Sequence, residues 1–406
     1  MSEYSELLKL YYQQKNIESE FKKRFENDCA YRTELFINPI LRGERIQTEY
    51  ELYCLPINDI SLLQEQIFSN SKKIFELSQM LPQIAKQSCI REIMINEIIK
   101  SNGIEGVHTT KKDIYNSMMS PKTTRLSGII KKYEQIINGN VEKIEYPEEI
   151  RKIYDDIFED DILKDSENRL DGKLFRKESV HINNGIENIH CGDTNEEIII
   201  KHLKDLIKFM NQKNINTLIK GCITHYYFEY IHPFYDGNGR FGRLIFSMYL
   251  ARKLDIFTGL SLSYSIFKEK EKYSKLFSKV SNPKNYGEIT FFIKGMLEII
   301  EKGQKSIISM LKDKILKLEY AEKYIGNLKL EDIESKILYI YIQDFIFSEM
   351  PYLKDTQLLE VLSDTMRSRI TLNKYLNSLK EKGHIERYGK NPSSHILSEK
   401  IKQELS

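Results

Sequence analysis

Ile231-His232-Pro233-Phe234-Tyr235-Asp236-Gly237-Asn238-Gly239-Arg240-Phe241-Gly242-Arg243 is the stretch on which the reading of this chain turns. Thirteen residues hold an imidazole, a carboxylate, two close glycines and two guanidiniums. On its N-terminal side, Asn216 to Tyr230 reads as a helix, with Leu218, Cys222, Ile223, Tyr226 and Tyr227 at helical spacing. Pro233 ends that helix because it has no backbone donor. On the C-terminal side, Phe241, Leu244, Ile245, Met248 and Tyr249 mark a second apolar stripe. Gly237-Asn238-Gly239 therefore opens a helix from a tight turn, where converging N–H groups and the helix dipole favour an anion. Arg240 and Arg243 are one turn apart and can reach the same anion with forks that match phosphate oxygens. Asp236 is a hard oxygen donor suited to Mg²⁺ beside a phosphate. His232 titrates near neutrality and is the natural base. A capped turn with a solvated arginine pair would not require all these residue types together.

The string resembles the signature of the Fic family, His-x-Phe-x-(Asp/Glu)-Gly-Asn-Gly-Arg-x-x-Arg, at every specified position. Most members of that family move AMP from ATP to a Ser, Thr or Tyr hydroxyl of a protein. The resemblance implies a base at His232, a Mg²⁺ ligand at Asp236 and an anion-binding turn at Gly237, Asn238 and Gly239. It also implies triphosphate contacts at Arg240 and Arg243, and a core anchor at Phe234.

Ser101-Asn102-Gly103-Ile104-Glu105-Gly106 ends a helix expected from about Pro82 to Ser101. Ser101 and Glu105 share a face if the helix continues through them, and Gly106 suits a C-cap. Alone, this is a frayed end with a solvated glutamate. Beside the signature, it resembles the inhibitory motif (Ser/Thr)-x-x-x-Glu-(Gly/Asn) of one Fic class, and Asn96-Glu97-Ile98 looks similar to that class too. The resemblance implies that Glu105 pairs with Arg243 and so withholds its donors from ATP. Gly103 is read as weakening the helix and easing release.

Residues 170–193 alternate apolar and polar positions through Leu174, Phe175, Val180, Ile182, Ile186 and Ile189, with a turn at Asn183-Asn184-Gly185. A hairpin near 174–190 is expected, the one strand signal before the C-terminal part. The resemblance implies a flap there that docks an extended target segment through Val180, His181 and Ile182. The acidic run Glu159-Asp160-Asp161 reads as a solvated face.

The chain has 406 residues, 61 Lys+Arg against 59 Asp+Glu, and five scattered cysteines. Near-neutral charge excludes a basic nucleic-acid coat. The cysteines form no CxxC pair, which argues against a disulfide framework or a zinc site and for a reducing compartment. No long apolar run or signal peptide is visible, so a cytoplasmic protein without a membrane partner is expected.

From Leu330 the pattern changes. Helices at about 335–347, 355–362 and 364–382 precede Gly383-His384-Ile385-Glu386-Arg387-Tyr388 and a loop with Asn391 and Pro392, which resembles a winged helix-turn-helix. Residues 367–390 hold seven Lys/Arg against two Glu. This face can meet DNA, or serve only for packing.

The expected fold is mainly α: a Fic-type helical core with a hairpin flap, an N-terminal helical region and a C-terminal winged-helix-like domain. The segments are 1–120, 121–329 and 330–406. The expected activity is a protein adenylyltransferase using ATP and Mg²⁺, self-inhibited by Glu105, with self-modification as one outlet. Two alternatives stay open. Glu105 can align water to remove AMP from a modified protein, or the core can sense nucleotide for a DNA-binding regulator.

Overall fold

The structure, a computed structural model, describes residues 4–405 apart from 42, 141, 184–187, 349–352 and 391–392. The chain opens with α1 (Leu7–Tyr12) and α2 (Ile17–Phe25), then β1 (Tyr31–Ile37), β2 (Ile40–Leu41), β3 (Glu44–Arg45) and β4 (Tyr50–Cys54). Helices α3 (Asn58–Gln79), α4 (Gln83–Ile104), α5 (Lys111–Met119), α6 (Ser127–Ile137) and α7 (Pro147–Phe158) follow. Strands β5 (His181–Asn183) and β6 (Asn188–Cys191) precede α8 (Glu196–Met210), α9 (Thr217–Ile231) and α10 (Asn238–Lys253). Then come α11 (Ile256–Leu260), α12 (Leu262–Lys268), α13 (Lys270–Ser281) and the long α14 (Thr290–Gly326). The chain closes with α15 (Asp332–Phe347), α16 (Asp355–Val361), α17 (Arg369–Glu381), β7 (Ile385–Lys390), β8 (Ser393–Leu397) and α18 (Glu399–Leu405). The mainly helical class expected from the sequence is what the chain adopts.

Contacts divide the chain into two compact units, residues 1–71 with 95–305, and residues 72–94 with 306–406. The division at 120 and 329 drawn from the sequence follows function along the chain and remains a proposal.

In the first unit α9 is the central helix. Asn216 caps it, its side chain accepting from the Leu218 N–H at 3.0 Å. Leu218, Ile219, Cys222, Ile223, Tyr226, Tyr227 and Ile231 are all buried. A helix apolar all round belongs inside a core, and α8 and α10 cover it. Phe234, just past its end, is fully buried and stacks on Tyr154 at 3.6 Å between ring centroids. Phe175 and Phe241 close on it at 5.7 and 5.6 Å. This aromatic cluster fixes the loop between α9 and α10 to α7.

Strands appear where helix was read. β1 and β4 form an antiparallel pair, so the flap is not the first β-structure in the chain. The reason is visible in β1 itself: Thr33, Leu35 and Ile37 point inward while Arg32, Glu34 and Phe36 point out, the period of a half-buried strand. The flap is shorter than expected. Leu174 and Phe175 are not in a strand, because their N–H groups, with that of Lys173, bond the Glu196 carboxylate at 2.5–2.9 Å. Of the expected turn, Asn184 and Gly185 lie outside the described residues.

In the second unit α15, α16 and α17 pack around Leu338, Ile342, Leu358, Leu372, Leu376 and Leu379, with Ile385 and Leu397 from the β7–β8 hairpin. α17 starts at Arg369, later than the expected 364, because the chain first turns back on Leu362: the Thr365 and Met366 N–H groups bond its carbonyl at 2.8 and 2.7 Å. Asn391 and Pro392 lie outside the described residues.

Replacing Phe234 with Ala should cost about 3–5 kcal/mol, the usual range for a buried aromatic. Chemical denaturation followed through the first unit's tyrosines measures it, and a loss under about 1 kcal/mol would contradict the anchoring role.

Candidate active site

The site is built at the start of α10. Gly237 has φ of 81°, a left-handed conformation that suits glycine, and a Cβ there would also meet Ile162 at 2.6 Å. Asn238 stitches the loop shut. Its Oδ1 accepts from the Phe234 N–H at 2.9 Å and its Nδ2 donates to the Phe234 carbonyl at 2.8 Å. The asparagine side chain therefore shapes the turn, and the Gly237 N–H donates to Asp236 Oδ1 at 2.5 Å.

Arg243 is buried, 1% exposed, and its guanidinium meets the two residues singled out at the end of α4. Nη1 lies 2.6 Å from Glu105 Oε1. Nε donates to Ser101 Oγ at 3.3 Å and Nη2 to the Ser101 carbonyl at 2.9 Å. A Cβ on Gly239 would lie 2.2 Å from Glu105 Oε1. The carboxylate thus rests against the glycine turn, where an anion is expected. Burial raises the Glu105 carboxyl, but the Arg243 charge and hydrogen bond outweigh it and hold the group below the usual carboxylate range.

The end of α4 is held by a residue the sequence reading noted without a role. Glu97 is fully buried. It accepts from the Ser263 N–H at 2.7 and 2.8 Å, the Tyr264 N–H at 3.2 Å and Ser247 Oγ at 3.1 Å. Its carboxylate thus caps α12 and ties α4 to α10. Burial pushes its pKa up to about 7.

Arg240 is held from two sides. Nη1 meets Asp161 Oδ2 at 2.8 Å and Nη2 meets Asp236 Oδ2 at 3.3 Å. Asp161 was read as part of a solvated acidic face, and that is corrected for this residue. α7 ends at Phe158, so Asp161 leaves the helix line and turns toward Arg240; Asp160 pairs with Lys164 instead, at 3.1 Å. Among the described residues, the crevice lined by Ser101, Asp161 and Arg240 holds only about 10 Å³, the space of roughly one water.

His232 follows α9 with φ of 53°. Its Nδ1 faces the Glu229 carbonyl at 3.3 Å. A carbonyl only accepts, so Nδ1 carries the proton and Nε2 the lone pair a base needs. Burial, with Arg176 second, lowers the His232 pKa to about 4, so the ring is neutral at pH 7. Glu229 Oε2 lies 4.0 Å from Nδ1. Burial lifts that carboxyl to about 8, so at pH 7 this is a contact of two mostly neutral groups.

Arg176 lies five residues before β5. It is fully buried, and its Nε donates to the His232 carbonyl at 2.8 Å, Nη1 to the Asp193 carbonyl at 2.6 Å and to Glu178, and Nη2 to the Ile231 carbonyl at 3.3 Å. One guanidinium thus joins the histidine backbone to both roots of the β5–β6 hairpin. In that hairpin His181 pairs with Cys191 and Ile182 with His190, and the Gly192 N–H bonds the Val180 carbonyl at 2.9 Å. Among the described residues β5 has no second partner strand. The other histidines stay outside the site: His225 bonds Tyr273 at 2.8 Å and His202 meets Asp193 at 2.9 Å.

Residues 144–250 match the Fic/DOC family. A probable protein adenylyltransferase of Aquifex aeolicus, aq_aa38, is 30% identical over 122 residues, 30% of this chain and 31% of that protein. Protein adenylyltransferase fic-1 of Caenorhabditis elegans is 34% identical over 59 residues, 14% of this chain and 12% of that protein. The chain therefore matches less than a third of either relative's length. The crystal structure of a Fic family protein from Desulfovibrio desulfuricans superimposes with a TM-score of 0.51 at 19% identity, covering 89% of this chain and 99% of that one. The fold of that protein is thus shared along most of the chain, and within it residues 144–250 match the Fic/DOC family.

Proposed function

We propose that the chain is a protein adenylyltransferase that moves AMP from ATP to a Ser, Thr or Tyr hydroxyl of a protein, restrained by Glu105. The observation that carries this is a pair of buried arginines at the start of a helix, next to a histidine held neutral. The target oxygen attacks the α-phosphorus and forms the new P–O bond. The bond to the leaving pyrophosphate breaks, and Nε2 of His232 takes the hydroxyl proton. Little covalent work falls to the protein, so orientation and charge neutralisation dominate. The glycine turn and Arg240 hold phosphate oxygens, and Arg243 holds the far phosphate once Glu105 leaves. Asp236 is half-exposed and fits Mg²⁺, a hard cation usually bound by one or two carboxylates plus substrate phosphates. Bound there, Mg²⁺ would neutralise phosphate charge. Val180, His181 and Ile182 offer the open β5 edge to an extended target segment.

Restraint follows from competition. Glu105 occupies the Arg243 fork and lies against Gly239, so its charge opposes a γ-phosphate at the same donors. The same carboxylate can instead align a water and make the chain remove AMP.

A second reading concerns residues 330–405 alone. Arg367, Arg369, Lys374 and Arg387 are exposed on and around α17 and the hairpin, which favours a winged helix that meets DNA backbone. Duplex binding that falls steeply between low and moderate salt would support it, and binding indifferent to salt would remove it.

His232→Ala should bind ATP normally and lose roughly 10²- to 10⁴-fold in transfer. Because the histidine pKa is lowered, the neutral base persists as pH falls, and transfer should decline only near pH 4. A rate profile that already halves near pH 6.5, or full activity in the alanine variant, would sink the role.

Asp236→Ala should weaken nucleotide binding only when Mg²⁺ is present. Calorimetric titration with and without Mg²⁺ decides it, and an unchanged difference would contradict the ligand role.

Glu105→Gly should raise transfer, self-modification included. Glu105 is over one-third exposed, so solvent screens its side of the pair, which is worth about 1 kcal/mol, a factor of roughly five. Radiolabelled ATP gives the rate. If Glu105 aligns water, the same variant should also stop removing AMP from a modified substrate. Equal rates for variant and wild type in both directions would remove the restraint.

A further inference from the structure

Away from the histidine and arginines, the root of the flap brings three metal-binding side chains together. His181 opens β5 and Cys191 closes β6, and the two face each other across the hairpin. Glu44 comes from β3, which packs on β6. One ligand atom from each, Glu44 oxygen, His181 nitrogen and Cys191 sulfur, lies within 4.8 Å of the other two. Three points no more than 4.8 Å apart share a centre at most about 2.8 Å (4.8/√3) from each. Zinc bonds to such donors are about 2.0–2.3 Å, so each side chain must close by at most about 0.5–0.8 Å. Rotamer adjustment of the exposed Glu44 and His181 is enough for that.

We propose that Glu44, His181 and Cys191 form a Zn²⁺ site that clamps the flap root to the β2–β3 hairpin, with the fourth position left to water. Thiolate, imidazole and carboxylate together suit zinc and exclude Mg²⁺ and Ca²⁺, which take oxygen. Glutamate and thiolate balance the ion's charge. The neighbouring Arg45 does not oppose it, because Nη1 pairs with Asp193 at 2.5 Å while Nε and Nη2 bond the Cys191 and Tyr230 carbonyls at 2.9 and 2.7 Å. The same bonds fix β3 beside β6 and so hold Glu44 near the other two ligands. Binding releases the Cys191 proton, which goes to solvent. No paired-cysteine motif marks this site in the sequence, because its ligands are 137 and 10 residues apart in the chain.

Binding is tested without reference to transfer, so its failure and that of the proposed activity are separable. Purified full-length protein is titrated with Zn²⁺ alone, and with Co²⁺ to read a thiolate-to-metal absorption band. Cys29→Ser serves as background, because Cys29 is the exposed cysteine and can take metal adventitiously. One equivalent and a thiolate band are expected. Cys191→Ser should abolish the band, and His181→Ala should weaken affinity by more than the roughly 10- to 100-fold typical of losing a supporting contact. A folded Cys191→Ser protein, judged by circular dichroism, that keeps the band and the stoichiometry would overturn the site. So would absence of any tight equivalent in the background protein. On the proposed function, Zn²⁺ should also change transfer to a protein target but not the binding of ATP.

Discussion

A buried guanidinium must have its donors satisfied, and Arg243 meets that constraint with a carboxylate. It is 1% exposed, and an unpaired charge at that depth would be strongly destabilising. Glu105 and two Ser101 oxygens satisfy it. The position of the last turn of α4 follows from this demand, helped by Glu97, whose carboxylate caps α12. On the proposed reading the same demand makes the site two-state. Arg243 holds either a carboxylate from its own chain or a phosphate from a ligand, and the exchange replaces one anion with another at little net cost of burial. Arg240 follows the same logic with Asp161 and Asp236, so phosphate must displace carboxylates at both arginines.

Arg176 connects this electrostatic site to the flap. Its donors meet the His232 backbone and the carbonyls on both sides of the β5–β6 hairpin. His232 sits in a left-handed conformation that a non-glycine residue rarely adopts. A buried side chain that donates to the carbonyl of that very residue helps hold the strained backbone in place. The guanidinium charge also helps keep the imidazole neutral, second to burial. Geometry and protonation of His232 therefore share one supporting residue, which also contacts the hairpin roots.

The motif residues were legible because their types are unusual together and close in sequence. Gly237 to Arg243 stand where the spacing put them, and Ser101 with Glu105 reached Arg243 although 138 residues separate Glu105 from it. Asp161 was not legible. One acidic residue among three gives no local sign of which carboxylate meets Arg240, since that depends on where α7 ends. Glu229 was hidden in an apolar helix, where only burial distinguishes a perturbed carboxyl from a surface one. β1 was hidden because Pro39 and the charged residues of 31–37 masked a period of two. The flap was drawn too long because alternation cannot reveal that Glu196 already holds the N–H groups of 173–175.

At Gly103 the structure adds a contact that the sequence does not show. Read from the sequence, it loosens the helix and eases the release of Glu105. In the structure a Cβ at Gly103 would lie 3.2 Å from the Phe267 ring, so the glycine lets α4 approach α12 closely. On the same helix, Glu97 accepts from the Ser263 and Tyr264 N–H groups of α12. What remains free to yield is the segment after Gly103. Gly106 turns left-handed with φ of 76°, the Val107 N–H closes on the Asn102 carbonyl at 3.0 Å, and Glu105 stands exposed on the last turn. On the proposed reading, Arg243 is released by opening of this turn, while Glu97 keeps the rest of the helix end in place.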